Sequence, residues 1–406
     1  MRIAFIVTHF PALSETFILN QIVGLIERGH EVDIYADNPR NEAKIHPDVE
    51  KYKLLERTYY RAGLSPNLVK RWIKGVGLLL LNFYKNPVVL GRALNVTKYG
   101  DYSSSWLLPF AALHLFDKKP YDIVHCQFGS HGIKGALLKD IGLLQGKLVT
   151  SFRGFDLSKE LPNLKDDFSR WLFPRGDLFL PVTEHWKNKL IELGCDENKI
   201  IVHRTGIDCD RFSFQPRQPS ETGEIRLVTI GRFTEKKGIE YGIRAAAKLA
   251  KAYPNLRYTI VGDGWMRNRF ERLTEQLGLQ SQVDLLGWKQ QAEIIEILNE
   301  SHILLAPSVT SKDGDKEGIP GTLMEAMAMG LPVVSTYHSG IPELVENGRS
   351  GFLVPERDAD SLAEKLEFLI QHPEQWPEMG EAGRKRVQED YNIAKLNDRL
   401  VEIYKS

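Results

Sequence analysis

Short runs rich in β-branched residues alternate with amphipathic helical patterns along almost the whole chain, and this alternation limits the fold more than any other feature. Strands separated by helices pair in parallel, and a parallel sheet needs helices on both faces. In the first half the strand-like runs are 2–7, 31–36, 121–125, 147–151, 177–181 and 199–203, with helical patterns such as 16–28, 133–143 and 185–193 between them. Residues 213–224 are polar and Pro-rich and read as a linker. A second series follows at 225–230, 257–261, 283–286, 302–306, 332–335 and 351–354. The expected architecture is α/β: two doubly wound domains, 1–210 and 211–389, facing across a cleft. Ligands in such sheets bind outside the carboxyl ends of the strands.

Residues 38–118 break the rhythm with a basic, aromatic, largely helical insert. Net charge is zero over 406 residues, which gives no general argument for nucleic acid, and none is expected as a partner. The distribution is uneven, because residues 51–100 carry ten Lys/Arg and one acid, Glu56. Such a block predicts a face for an anionic surface. Within it, Lys70-Arg-Trp-Ile-Lys74 precedes leucines 78–81, Phe83 and Tyr84. Two readings are open: a helix lying on an anionic membrane, or a helix on the domain's side with an exposed basic face. The apolar stretch 76–83 is far shorter than the roughly 20 residues of a spanning helix. Three cysteines without metal spacing, and a start that runs straight into an apolar strand, predict a reduced cytoplasmic protein.

The most informative segment is Glu317-Gly-Ile-Pro-Gly-Thr-Leu-Met-Glu325. Its second carboxylate lies in a nearly wholly apolar helical run, and a buried carboxylate is costly unless hydrogen-bonded. Pro320 suits the first helical position. The amides of Gly321, Thr322 and Leu323 are then free at a helix start, where anions bind. Glu325 follows Gly321 and Thr322 by four and three residues and shares their face. A phosphate at the amides, a hydroxylated group at Glu325 and a polar group near Glu317 outline a sugar-nucleotide site. Without a ligand, a capping carboxylate and a backbone-satisfied helix Glu would account for the same pair.

Other loops follow strand ends. Gly231-Arg232-Phe-Thr-Glu-Lys236-Lys237-Gly238 offers Arg232 as a fork and Lys237 as a point charge to one anion; the alternative is a solvated turn. Gly262 and Gly264 mark a turn or a close approach to a ligand. Trp288 can flank a base or pack. Asp313-Gly-Asp315 reads as an acidic turn rather than a metal site. In the first half, Ser14 or Thr16 can cap a helix and Glu15 suits its first turn. Gln127, His131, Arg153 and Asp156 lie in loops at two further strand ends, where His131 has a structural as well as a catalytic reading.

Together these residues resemble the retaining glycosyltransferases of family 4, with the GT-B fold of two Rossmann-like domains. The resemblance runs from Ile3 to about Tyr391 and is nearest to bacterial exopolysaccharide transferases of the colanic acid and amylovoran type. It is carried by Phe10-Pro11…Ser14-Glu15-Thr16-Phe17, Gly231-Arg232…Lys237-Gly238, Val309…Asp313-Gly-Asp315…Glu317-Gly-Ile-Pro320 and Ser335…His338-Ser-Gly-Ile-Pro-Glu343. It implies a hexosyltransferase that moves sugar from a UDP- or GDP-linked donor to a saccharide acceptor on undecaprenyl diphosphate, in cell-surface polysaccharide synthesis. It also implies no cofactor or metal, and peripheral placement on the inner membrane face.

Carried over, Glu317 contacts the donor sugar and Glu325 the ribose. Arg232, Lys237 and the amides of Gly321 and Thr322 hold the diphosphate, with Gly318, Ile319, Gly262, Gly264 and Trp288 around the donor. Ser14, Glu15, Thr16 and Arg153 fall on the acceptor side, and a helix at about 390–406 packs back on the first domain. Two positions depart from the family, which usually has His at 127 and at 153. Gln127 can hydrogen-bond a sugar hydroxyl but cannot exchange a proton, which leaves His131 or Asp156 to substitute. The rival expectations are a nucleotide-sugar 2-epimerase and a non-catalytic partner that binds the donor.

Overall fold

Two all-parallel six-stranded sheets form, one in each half of the chain, in a computed structural model that describes residues 1–12, 15–39, 45–60, 67–113, 115–116 and 119–406. The first sheet contains β1 (Arg2–Phe10), β2 (Glu31–Pro39), β3 (Thr58–Tyr60), β4 (Ile123–Gln127), β5 (Lys147–Phe152) and β6 (Leu178–Pro181), in the order β3-β2-β1-β4-β5-β6. The second contains β7 (Ile225–Ile230), β8 (Leu256–Val261), β9 (Val283–Gly287), β10 (Ile303–Ala306), β11 (Val333–Thr336) and β12 (Phe352–Val354), in the order β12-β11-β10-β7-β8-β9. Each order reverses once, between β1 and β4 and between β7 and β10. Those two switch points are where a doubly wound sheet leaves a crevice for ligand.

The central strands show why the pattern reads as continuous apolar runs. In β10, Ile303 and Leu305 belong to one buried cluster and Leu304 to another; in β11, Val334 and Val333 divide the same way. Helices Ile239–Ala250, Arg267–Gln276 and Ala359–Gln371 cover the first of these faces, and Gln291–Glu300 and Gly321–Ala328 the second. Burying one such aliphatic side chain is worth about 1.5–3 kcal/mol.

The chain divides into two compact units. One holds Met1–Pro181, Lys187–His203 and Arg399–Ser406, and the other Val182–Trp186 and Arg204–Asp398. Within the first, Leu400, Ile403 and Tyr404 join the core that β1 and β2 form with helix Thr16–Glu27.

Two strand expectations change. Residues 199–203 run beside β6, with Ile201 N–H donating to Phe179 O and His203 N–H to Pro181 O at 3.0 Å each, but they form only one bridge and no strand. The sixth strand is β3, from inside the 38–118 insert, where Thr58-Tyr-Tyr60 pairs with Ile34–Ala36 of β2. Three residues are too few for periodicity to show.

Candidate active site

In the second unit, the loop after β7 and the loop after β10 meet at the switch point. The first turns through a short 3₁₀ segment, Glu235–Lys237, and ends on Gly238, whose φ of +62° and close approach to Pro307 leave no room for a Cβ. That turn sets the two lysines against the second loop. Lys237 Nζ lies 3.2 Å from Glu317 Oε1, Lys236 Nζ lies 3.8 Å from the same oxygen, and Lys236 also pairs with Asp315 Oδ1 at 3.1 Å. The Lys237 stem lies over Gly231, where a Cβ would come within 3.2 Å of Cδ and Cε. Burial by itself would push the Glu317 carboxyl up, but the two ammonium groups overcome it and hold the pKa at about 2. Asp313 accepts from the Ser311 hydroxyl, so neither acid of the Asp313-Gly-Asp315 turn lacks a partner.

Glu317 is also held through its backbone. Its N–H donates to His338 Nε2 at 3.0 Å and its carbonyl accepts from the Ser339 hydroxyl at 2.7 Å. Accepting at Nε2 leaves the fully buried His338 with its proton on Nδ1, which donates to Glu356 Oε1 at 2.6 Å. Burial lowers the His338 pKa despite that carboxylate, so the ring is neutral. Glu356 in turn takes the Thr310 N–H at 2.8 Å. This relay clamps both ends of the 310–317 loop. Sequence reasoning placed His338 and Lys236 in motifs and assigned neither a task, and it passed over Glu356. The His338→Leu substitution strands the Glu317 amide and leaves Glu356 Oε1 only the Thr310 hydroxyl at 3.2 Å, and should cost on the order of 1–3 kcal/mol, read as a lower urea midpoint at unchanged slope.

The next helix begins one residue later than expected. Pro320 is its N-cap, with φ −61° and ψ 126°, and Gly321 is the first helical residue. The Leu323 N–H bonds to Pro320 O at 3.1 Å, so two amides, those of Gly321 and Thr322, remain without a partner among the described residues. Gly318 lies in the loop before them, and Ile319 packs on the core. The Glu325 carboxyl forms no hydrogen bond or ion pair with a described residue. Burial raises its pKa to about 7, opposed only by the charge of Lys237.

The structure thus brings Lys237, Glu317, Glu325, Gly321 and Thr322 together. Arg232 is exposed and has no side-chain partner among the described residues. Gly262 and Gly264 have a packing reason: Cβ atoms there would meet Gly231 O at 1.9 Å and Phe233 O at 2.7 Å. Trp288 is 65% exposed after β9, so packing does not explain it; Trp265, after β8, is more open still and was not singled out from sequence.

In the first unit, the ends of β1, β4 and β5 gather a buried polar network. Gln127 is fully buried, donates to Gln21 Oε1 at 2.9 Å, and accepts from Arg153 Nη2 at 3.0 Å. The two positions that depart from the family therefore bind each other. The Arg153 guanidinium sits 4.0 Å from the centre of the Phe17 ring; burial lowers its pKa to about 10, against the charges of Asp156 and Glu15. Asp156 is also fully buried; it accepts the Gly129 and Arg153 amides at 2.8 Å each and caps the start of helix Gly129–Asp140. Burial raises its pKa to about 7. His131 is buried and meets the Thr8 hydroxyl at 2.8 Å. Fully buried His125, given no role from sequence, joins Tyr404 at 2.6 Å and Ser151 at 2.7 Å. Glu15 is the N-cap residue of its helix, with no side-chain cap bond, and Thr16 is exposed in the first turn. Ser14 lies outside the described residues.

Comparison with known proteins places this geometry in a family. The model described as Glycosyltransferase Family 4 matches residues 14–211, and that described as Glycosyl transferases group 1 matches residues 210–386. AmsK of Erwinia amylovora, an amylovoran biosynthesis glycosyltransferase, is 38% identical over 412 residues, covering 99% of each chain. The chain belongs to the family 4 glycosyltransferases. WcaL of Escherichia coli strain K12, a protein named for colanic acid biosynthesis, is 36% identical over 405 residues and 99% of each chain. Among solved structures, HepE of Anabaena in complex with UDP superposes with a TM-score of 0.72 at 17% identity, covering all of both chains. At that identity the likeness shows the fold, and the fold of this glycosyltransferase is GT-B.

Proposed function

We propose that this glycosyltransferase moves a hexose, with retention, from a UDP- or GDP-linked donor to a saccharide carried on a lipid diphosphate such as undecaprenyl diphosphate, in building an exopolysaccharide. The observation that carries the reading is the meeting of Lys237 and Glu317 at the switch point of the second sheet, beside the open amides of Gly321 and Thr322 and the partnerless Glu325. Lys237, Arg232 and the two amides take the diphosphate, Glu317 the sugar, and Glu325 the ribose hydroxyls, with Trp288 beside the base. UDP in HepE and the exopolysaccharide names of AmsK and WcaL support the donor class and the product.

In this reaction the bond from the anomeric carbon to the leaving phosphate oxygen breaks and its electron pair stays on the diphosphate. The acceptor hydroxyl oxygen bonds to the anomeric carbon on the same face, and its proton passes to the leaving phosphate. Negative charge grows on the diphosphate, where the Lys237 ammonium and the helix-start amides stabilise it. No protein nucleophile is needed. Cationic side chains do the work for which a metal would serve, and Asp315 is already taken by Lys236. Gln127, Asp156 and His131 shape the acceptor side from beneath the surface rather than exchange protons.

A ligand that binds only the native state raises its apparent stability. In a thermal-shift panel, UDP- and GDP-sugars should raise the midpoint while free sugars do not, and transfer should require added acceptor. No shift with any nucleotide sugar would sink the reading; conversion of the donor without acceptor would indicate an epimerase. The Gln127–Arg153 bond favours a second reading, a subunit that binds the donor without turning it over. Stabilisation by donor with no transfer to any lipid-linked saccharide would decide for it.

A further inference from the structure

Helix Leu68–Asn82 carries a face that the transfer site leaves unused. Its inner side is occupied: a Cβ on Gly75 would come within 2.5 Å of the Trp106 ring, the Trp72 and Trp106 rings meet edge to face at 5.1 Å, and Arg71 donates to Ser105 O at 3.3 Å. On the outer side Val69, Ile73, Val76 and Leu80 recur at spacings of four, three and four, which is one helical face. All four are exposed, Ile73 and Leu80 by 70% and 73%, and Phe83 and Tyr84 extend the strip past the helix end. Exposed apolar strips of this length mark interaction surfaces.

The charge beside the strip selects the occupant. Lys70 and Lys74 lie four residues apart on one flank and Lys85 stands at its end, all exposed. From residue 67 to residue 100 there are six Lys/Arg and no acid. A second copy would set this strip of like charge against itself, whereas a surface of lipid phosphates complements it. Fifteen residues give a helix of about 22 Å, below the ~30 Å of a bilayer core, and no helix among the described residues is long and apolar enough to cross a membrane. We propose that this helix docks flat on an anionic lipid surface, with Val69, Ile73, Val76 and Leu80 in the acyl boundary and Lys70, Lys74 and Lys85 at the phosphates. The inference is independent of which nucleotide sugar the second unit binds.

Flotation of the full chain with vesicles of phosphatidylcholine alone, or mixed with phosphatidylglycerol, tests it. The protein should float with the mixed vesicles and not with the neutral ones. The Lys70→Gln/Lys74→Gln/Lys85→Gln variant should partition about a hundredfold more weakly, and Ile73→Glu/Leu80→Glu should not float. Both variants should keep the wild-type melting curve and donor-induced shift, which separates loss of docking from loss of fold. Absence of flotation with anionic vesicles overturns the proposal, as does equal flotation of the variants. Self-association that Ile73→Glu/Leu80→Glu abolishes, without vesicle binding, would give the face to a second copy instead.

Discussion

Lys237→Ala is expected to lower kcat/KM by about 10²–10³, the usual loss when one preorganised donor to a developing oxyanion is removed. The effect should fall on kcat more than on KM, because charge on the leaving diphosphate grows as its bond breaks, and an interaction stronger in the transition state acts on turnover. In the free protein the ammonium lies 3.2 Å from Glu317 and shares that carboxylate with Lys236 at 3.8 Å. Removing Lys237 therefore leaves Glu317 one cation, and its pKa rises from about 2. The Lys237→Arg substitution should recover little: the stem lies over Gly231, where even an added Cβ would come within 3.2 Å of it, and a planar fork on a longer arm does not fit the position of a compact ammonium. Wild-type turnover in Lys237→Ala, with the melting curve preserved, would remove this lysine from the chemistry.

What the sequence exposed and what it hid divide along physical lines. The central strands of the second sheet were legible because they are buried on both faces, so each reads as an apolar run flanked by amphipathic helices; the 303–305 and 333–334 segments are examples. The Glu317–Glu325 spacing was legible because carboxylates are rare in apolar helices. The rest depended on tertiary contact. Strand β3 is three residues long and takes its partner from β2. The His338–Glu356–Thr310 relay joins residues 18 to 46 positions apart. Pattern reasoning saw Gln127 and Arg153 as two separate departures, whereas the structure makes them one hydrogen-bonded pair 26 residues apart. Gly262 and Gly264 read as a turn or a ligand approach, and the crowding at both comes from the backbone of residues 231–233.

Glu325→Ala should cost about 10² in kcat/KM, mainly through KM, and should remove a pH dependence that the wild type shows. If the carboxylate accepts two ribose hydroxyls, two charge-assisted bonds at about 1.5 kcal/mol each give that factor. A grip on ribose is equal in ground and transition states, so it lowers KM and leaves kcat nearly alone. In the free protein burial raises the Glu325 pKa to about 7 from an ordinary 4.5. The raised value means that its protonated form is favoured by folding: the contribution is complete below about pH 4.5 and fades as pH rises through 7. Nucleoside diphosphate selects the ionised form, so affinity should climb between pH 6 and 8 and binding near pH 6.5 should release protons. Calorimetry in two buffers of different ionisation enthalpy reads that release directly. The Glu325→Gln variant, which keeps the shape and cannot ionise, should show weak, pH-independent binding and no released proton. A wild-type affinity flat from pH 6 to 8 would take Glu325 away from the ribose.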